Sequence, residues 1–125
     1  MVARINAERA KVALGPLATC GTLTNAAAAH SADQAATSTM SHTGSDGSTM
    51  VNRAERAGYT NWTRLAENVA AGYTTVDAVM AGWMASPGHR ANLLNGDLTH
   101  VGVGRAQSGG GVWYWTQDFG TSGRC

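Results

Sequence analysis

The sequence predicts an α+β domain with a small antiparallel sheet, because helical patterns fill most of the chain and a hairpin pattern closes it. The segment 99–106 alternates apolar and polar positions, as does 112–119, and the glycine-rich stretch 107–111 between them is typical of a hairpin loop. One further stretch has apolar residues at i, i+3, i+4, i+7 and i+8, which is one face of a helix: Val76, Val79, Met80, Trp83 and Met84. We expect Trp83 to be buried.

The first half of the chain predicts three helices. Residues 1–14 suit a helix that stops at Gly15-Pro16. Residues 22–37 are alanine-rich, with Thr22 or Thr24 as the cap. After turn-forming residues at 41–48, Ser48 is positioned to cap a short helix that ends at Gly58.

A last helix is indicated after Trp83 by local start signals. Ser86 is placed as an N-cap and Pro87 as the first helical residue, which favours a short helix over about 89–94. The order of these elements, helices first and strands last, favours α+β over a parallel α/β fold.

Composition limits the classes of function. The chain has 125 residues, so residues 1–125 are expected to form a single domain. Charged residues are 14% and the net charge is +1, which gives no basic surface for nucleic acid. No apolar run is long enough to cross a bilayer. We therefore expect no nucleic-acid partner and no transmembrane segment. We also expect the domain to be a monomer.

The two cysteines, Cys20 and Cys125, have neither CxxC nor metal-knuckle spacing. They are expected to form one disulfide, which would close a loop of about 100 residues. Disulfides persist in oxidising compartments, so the pair indicates an extracellular protein. The chain opens directly into a helical pattern at Met1, and we expect a mature domain without its signal peptide.

Glu67 stands out because it lies among Leu65, Ala66, Val69 and Ala70. An isolated buried carboxylate is costly, so this residue needs a partner, and a histidine is the obvious one. His42 follows a helix in a turn, whereas His30 shares an apolar helical stripe and is expected to be a core histidine. His89 falls in the first turn of its helix, where the dipole favours a neutral imidazole.

An ordered set of motifs resembles the CAP superfamily, which groups cysteine-rich secretory proteins, venom antigens, plant pathogenesis-related proteins and secreted bacterial proteins. The resemblance covers nearly the whole chain and is closest to the compact bacterial branch. The motifs are Asn6-x-x-Arg9, Gly15-Pro16-Leu17, Ser41-His42, Ala66-Glu67-Asn68, Trp83, Ser86-Pro87-Gly88-His89-Arg90 and His100-Val101-Gly102-Val103-Gly104.

The resemblance implies an extracellular α-β-α sandwich with a surface cleft lined by two histidines and two glutamates. His42, Glu67 and His89 match three of the four positions, and Ser86 stands where the family has its second glutamate. The three matching residues would suit zinc with an open water position. His100 and Asn68 are accessory candidates.

Three hypotheses remain for the role of these residues. The first is a secreted binding module for a small apolar ligand, such as a sterol or lipid, or for a protein partner. The second is a zinc-dependent hydrolase that activates water at His42, Glu67 and His89, although no separate general base and no catalytic motif are seen. The third is a buried polar network without chemistry, in which Glu67 bonds both histidines. No cofactor is required by the first or the third.

Overall fold

The computed structural model describes all residues from 1 to 125 and shows five helices and four strands. In chain order the elements are α1 Val2–Lys11, β1 Ala18–Thr19, α2 Gly21–Thr37, α3 Met50–Arg56, β2 Arg64–Ala71, α4 Val76–Ala85, α5 Pro87–Leu93, β3 His100–Gln107 and β4 Trp113–Thr121. The sheet order is β1-β3-β4-β2, so β1 and β2 are the edge strands.

The molecule is an α-β-α sandwich, as predicted. One face of the sheet packs against the helices α1, α4 and α5 around a core that includes Trp83, Val101 and Phe119. Trp83 is buried, and its indole N–H donates to the Val69 carbonyl at 3.1 Å. The sheet is antiparallel except that the two-residue strand β1 pairs with β3 in parallel.

The helix α2 covers the other face of the sheet and lies very close to β3. A Cβ on Gly102 would collide with the backbone of Leu23 and Thr24, and one on Gly104 would stand 2.5 Å from the nitrogen of Ala28. Glycine at these two positions therefore lets the helix backbone rest on the strand. This close approach places α2 over the polar residues of β4.

The two edge strands, β1 and β2, were not predicted from the sequence. Helix starts and ends also differ by a few residues. Thr49 rather than Ser48 caps α3, since Thr49 and Asn52 form a reciprocal capping box. The helix α1 ends at Lys11, before Gly15-Pro16, because Ala13 adopts a left-handed φ of 60°.

The predicted disulfide is confirmed. Cys20 at the start of α2 is bonded to Cys125, and their Cα atoms are 5.1 Å apart, within the usual range. The residues before Cys125 are also tied down, because the Gly123 N–H donates to the Tyr59 hydroxyl and the Arg124 N–H donates to the Thr60 carbonyl. No helix is long and apolar enough to span a bilayer.

Candidate functional site

The centre of the site is Glu67, on the edge strand β2 and on the sheet face that α2 covers. Its side chain is only 3% exposed. The imidazole Nδ1 of His42 lies 3.0 Å from Oε1, which confirms that a histidine partners this buried carboxylate. The predicted His42–Glu67 contact thus forms although 25 residues separate the two in sequence.

Arg53, which was not predicted as a site residue, makes the shortest contact to Glu67. Its Nη1 donates to Oε2 at 2.7 Å and its Nη2 donates to Oε1 at 3.1 Å. Nη2 also donates to the His42 carbonyl at 2.6 Å, which fixes the loop that carries this histidine. The fork geometry of a guanidinium matches a carboxylate, so Arg53 is the counter-ion of Glu67.

A second carboxyl group, Asp118 on β4, lies directly opposite Glu67 in the β2–β4 ladder. The Gly72 N–H donates straight across to the Trp113 carbonyl, so the alternation of the ladder makes Glu67 and Asp118 a non-hydrogen-bonded pair. Opposed side chains are closest at such positions. On its other side, Asp118 faces Gly102 of β3, which offers no side chain.

The pKa values of the two carboxyl groups are shifted in opposite directions. Asp118 is fully buried, and both of its oxygens lack a partner when the group is ionised. Burial and the neighbouring Glu67 carboxylate raise the pKa of Asp118 well above its ordinary value. Burial alone would raise the pKa of Glu67, but hydrogen bonds from Asp118 and Arg53 lower it to about 2. The raised pKa favours the protonated form of Asp118, for which ionised Glu67 is the opposed acceptor in the ladder.

Replacing Asp118 with asparagine is expected to stabilise the protein at neutral pH. The raised pKa of Asp118 means that its contribution is full below the unfolded-state pKa near 4 and is lost as pH rises through the folded-state pKa. Asparagine donates the same hydrogen bond without needing a proton. The gain should grow as pH rises above about 4 and level off above the folded-state pKa of the aspartate.

Urea unfolding of wild type and D118N between about pH 3 and 8 tests this pH dependence. The two proteins should be nearly equal in stability at the acid end and diverge as pH rises. A constant difference across the range would show that Asp118 does not hold the proton.

His30, on α2, is confirmed as a core histidine, because it is only 1% exposed. Its Nε2 is 2.7 Å from the Ser41 carbonyl, an acceptor, so Nε2 carries the ring proton. The same nitrogen is 4.0 Å from Glu67 Oε1. Burial and the charge of Arg53 lower the pKa of His30, so the ring is neutral.

His89 approaches the site from α5, which lies beside the free edge of β2. Asn92 of the same helix donates to the Glu67 carbonyl and to the Asn68 side chain. The His89 ring makes no hydrogen bond to Glu67, but it lies near His42: burial and the His42 charge lower the pKa of His89. His42 has a 60% exposed side chain and His89 is half-buried, so both imidazoles reach the surface.

The remaining candidates are placed as follows. Ser86 is the N-cap residue of α5, as predicted, but its hydroxyl makes no cap bond and the helix begins directly at Pro87. Asn68 points to the opposite sheet face, where its amide donates to Gln117 and to the His89 carbonyl. His100 lies in a different cluster, with its Nδ1 2.9 Å from the Tyr59 hydroxyl.

The donor set fits a divalent cation poorly. One cluster brings three possible ligand atoms within 4.8 Å of one another, from Cys20, His100 and Cys125. The two cysteine sulfurs of this cluster are joined in the disulfide. His42, Glu67 and His89 form no such group. The Arg53 guanidinium already occupies both Glu67 oxygens and adds a positive charge. A shared metal at these three residues stays a prediction.

The fold, the ordered motifs and this histidine–glutamate site define the class of protein. The chain belongs to the cysteine-rich secretory protein family, also called CAP, whose model matches residues 2–119.

Among its relatives, the uncharacterized protein YkwD of Bacillus subtilis is 37% identical over 114 residues, which are 91% of this chain and 43% of the relative. An extracellular protein of Bacillus anthracis with an SCP domain has a TM-score of 0.86 and 30% identity, over 94% of this chain and 38% of the other. An outer surface protein of Borrelia burgdorferi shares the fold, with a TM-score of 0.87 and 24% identity, over 96% and 88% of the two chains. The chain thus spans less than half of YkwD and of the B. anthracis protein.

Sequence patterns do carry a signal for Arg53 and Asp118, the two site residues that were not predicted. Arg53 lies on the same helical stripe as Met50, Ala54 and Ala57, so a charge there points to the core. Asp118 continues the strand face of Tyr114 and Thr116, in a strand buried on both faces. In each case a charge at a buried position is informative, because such groups need a partner.

Proposed function

We propose that this domain is an extracellular binding module that captures an acidic group of a protein partner between His42 and His89. The observation that carries the proposal is that Glu67 is already neutralised by Arg53, at 2.7 and 3.1 Å, so exposed His42 and half-buried His89 are the groups left to meet a ligand. A carboxylate of the partner is the ligand chemistry that two imidazoles recognise.

The charge balance of the cleft supports an anion rather than a cation. Arg53 offsets Glu67, Asp118 holds a proton, and Ser86 adds no charge. Protonation of either histidine then makes the cleft positive. Burial, and then the charge of His42, lower the pKa of His89, and a bound carboxylate would offset both effects.

An extracellular site of action is supported by the disulfide, since such bonds are rarely kept in the cytosol. Membership of a family of secretory proteins and likeness to an extracellular SCP-domain protein favour the same compartment. The small apolar ligand has less support, because two cavities of about 390 and 360 Å³ are lined mostly by polar residues.

Titration with acetyl-glutamate, followed by NMR of the histidine ring protons, tests this function. We expect the His42 and His89 signals to shift together, with an affinity that rises as pH falls through the range of about 8 to 5, because protonated imidazoles bind a carboxylate more strongly. The variant His42→Ala should weaken the binding about tenfold, which corresponds to about 1.4 kcal/mol. His100→Gln is the matched control in the other cluster and should bind normally.

Calorimetry with zinc on the same proteins separates the alternatives. Zinc binding at neutral pH that is lost in His42→Ala would favour the metal site and contradict the anion-binding proposal. If neither acetyl-glutamate nor zinc binds, the polar network serves structure alone.

A further inference from the structure

The disulfide lies beside His100, and together the three residues form a cluster of possible metal ligands. Sγ of Cys20, Sγ of Cys125 and a ring nitrogen of His100 all lie within 4.8 Å of one another. His100 is the first residue of β3, Cys20 precedes α2 and Cys125 is the last residue in the sequence, so the tertiary structure brings them together. None of the functions considered above uses this cluster.

The position of Cys125 does not depend on the disulfide alone. Three hydrogen bonds also hold the two residues that precede it. They join the Gly123 N–H to the Tyr59 hydroxyl, the Arg124 N–H to the Thr60 carbonyl, and the Thr22 hydroxyl to the Arg124 carbonyl, at 2.8–3.1 Å. Because Thr22 belongs to the first turn of α2, the tail remains attached beside Cys20 when the disulfide is reduced.

The His100 ring is held in place by Tyr59. Its Nδ1 lies 2.9 Å from the Tyr59 hydroxyl, and the two rings meet edge to face with their centroids 5.8 Å apart. Tyr59 is fully buried, so its position is fixed by the core. A hydrogen-bond partner that orients the imidazole is the usual support of a histidine that binds a metal.

Two thiolates and one imidazole are a donor set for zinc. Zn–S bonds of about 2.3 Å and Zn–N bonds of about 2.0–2.1 Å place the ligand atoms of a tetrahedral site about 3.3–3.8 Å apart. The cluster is close to this spacing once the two sulfurs are free to separate. Cys125 is exposed and His100 is half-buried, so an ion can enter from solvent and keep a water ligand. The two thiolates also balance the charge of the ion.

We propose that the reduced form of this domain binds Zn²⁺ through Cys20, His100 and Cys125, with water as the fourth ligand. A dithiol reduces the disulfide: its own two sulfurs become joined, and its two electrons and two protons convert the cysteines to thiols. Binding of Zn²⁺ then releases both thiol protons to water. The tail is thus cross-linked to α2 by the disulfide under oxidising conditions and by zinc under reducing ones. This cluster shares no residue with the His42–His89 cleft, so either site can fail without the other.

Absorption spectroscopy with Co²⁺ on the full chain tests the site, because Co²⁺ takes zinc positions and its thiolate complexes are coloured. The protein is reduced with a phosphine in the absence of oxygen. We expect reduced wild type to bind one Co²⁺ with the visible bands of a tetrahedral thiolate site, and Zn²⁺ to displace it. The oxidised protein should show no such bands. A folded, reduced protein without them would overturn the proposal.

The variant His100→Gln isolates the contribution of the imidazole, since glutamine keeps a polar group beside Tyr59. It should weaken Zn²⁺ binding to the reduced protein at least about tenfold. His42→Ala removes a ligand of the other candidate metal site and should bind Zn²⁺ as reduced wild type does. Equal affinities of His100→Gln and wild type, or a loss of binding in His42→Ala, would each contradict the assigned ligands.

The NMR signal of the His42 ring shows whether the reduced protein is folded during these measurements. If reduction alone unfolds part of the sample, Zn²⁺ should restore the folded signal and raise the urea midpoint, because binding at a folded site adds to stability. His100→Gln should gain less from the same concentration of Zn²⁺. A reduced chain that Zn²⁺ leaves unfolded would show that the cluster does not form a metal site.

Discussion

Replacing Arg53 with methionine is expected to lower the free energy of unfolding by about 3–5 kcal/mol, because it leaves a buried carboxylate without its counter-ion. Glu67 would retain a hydrogen bond from His42, but its ion pair with Arg53 would be gone. At neutral pH the Glu67–Asp118 pair is expected to hold one proton. Without Arg53, the pair must either bind a second proton or keep a buried negative charge that has no counter-ion. Such a loss is a large part of the 5–15 kcal/mol that usually stabilises a domain.

Urea unfolding at pH 7 measures this loss, and Arg56→Met provides the matched control. Arg56 lies one turn further along α3 and pairs with Asp46 at the surface, where ion pairs contribute little. Its removal should leave the unfolding midpoint close to that of wild type. Adding Glu67→Gln to Arg53→Met should recover most of the stability, because it removes the unpaired charge. Equal midpoints for Arg53→Met and Arg56→Met would contradict the role assigned to Arg53.

Removal of the disulfide is the second change with a large expected effect. The double variant Cys20→Ser/Cys125→Ser should lose about 4–5 kcal/mol in the chain-entropy model, since the bond closes a loop across 105 positions. The folded tail keeps its hydrogen bonds from Gly123 and Arg124, so the loss arises mainly in the unfolded state.

Urea unfolding of oxidised wild type and the double variant measures this effect, and NMR of His42 checks that the distant cleft is unchanged. Thiol titration of unfolded, unreduced wild type should find no free thiol. A double variant as stable as wild type would show that the cross-link does not limit the unfolded chain.

The elements with regular periodicity could be predicted from the sequence, and those fixed by tertiary contacts could not. The helix with Trp83 and the terminal hairpin follow from local spacing. The sequence of strand β2, in contrast, shows no regular alternation of apolar and polar residues, because both of its faces carry polar side chains. Glu67 faces the α2 side of the sheet, whereas Asn68 hydrogen-bonds to the Gln117 amide on the opposite side. The two-residue strand β1 is too short to leave a pattern.

The same distinction holds for the candidate site. The need of Glu67 for a partner follows from its apolar neighbours, and the structure places His42 beside it at 3.0 Å, whereas a binding role of His42 stays a prediction. Arg53 and Asp118 could not be paired with Glu67 from the sequence, because Asp118 reaches it through strand register and Arg53 through the packing of α3. The sequence likewise cannot show that His89 approaches from the opposite sheet face.

The contact from Asn92 to the Glu67 carbonyl also bears on how this protein avoids aggregation. β2 is an edge strand, and an unpaired edge can recruit a strand from another molecule. The Glu67 carbonyl points away from β4, at the middle of that edge, and Asn92 already occupies it. An incoming strand would have to displace this side chain and move α5 aside. The helix that brings His89 to the cleft thus also protects the sheet from edge-to-edge association.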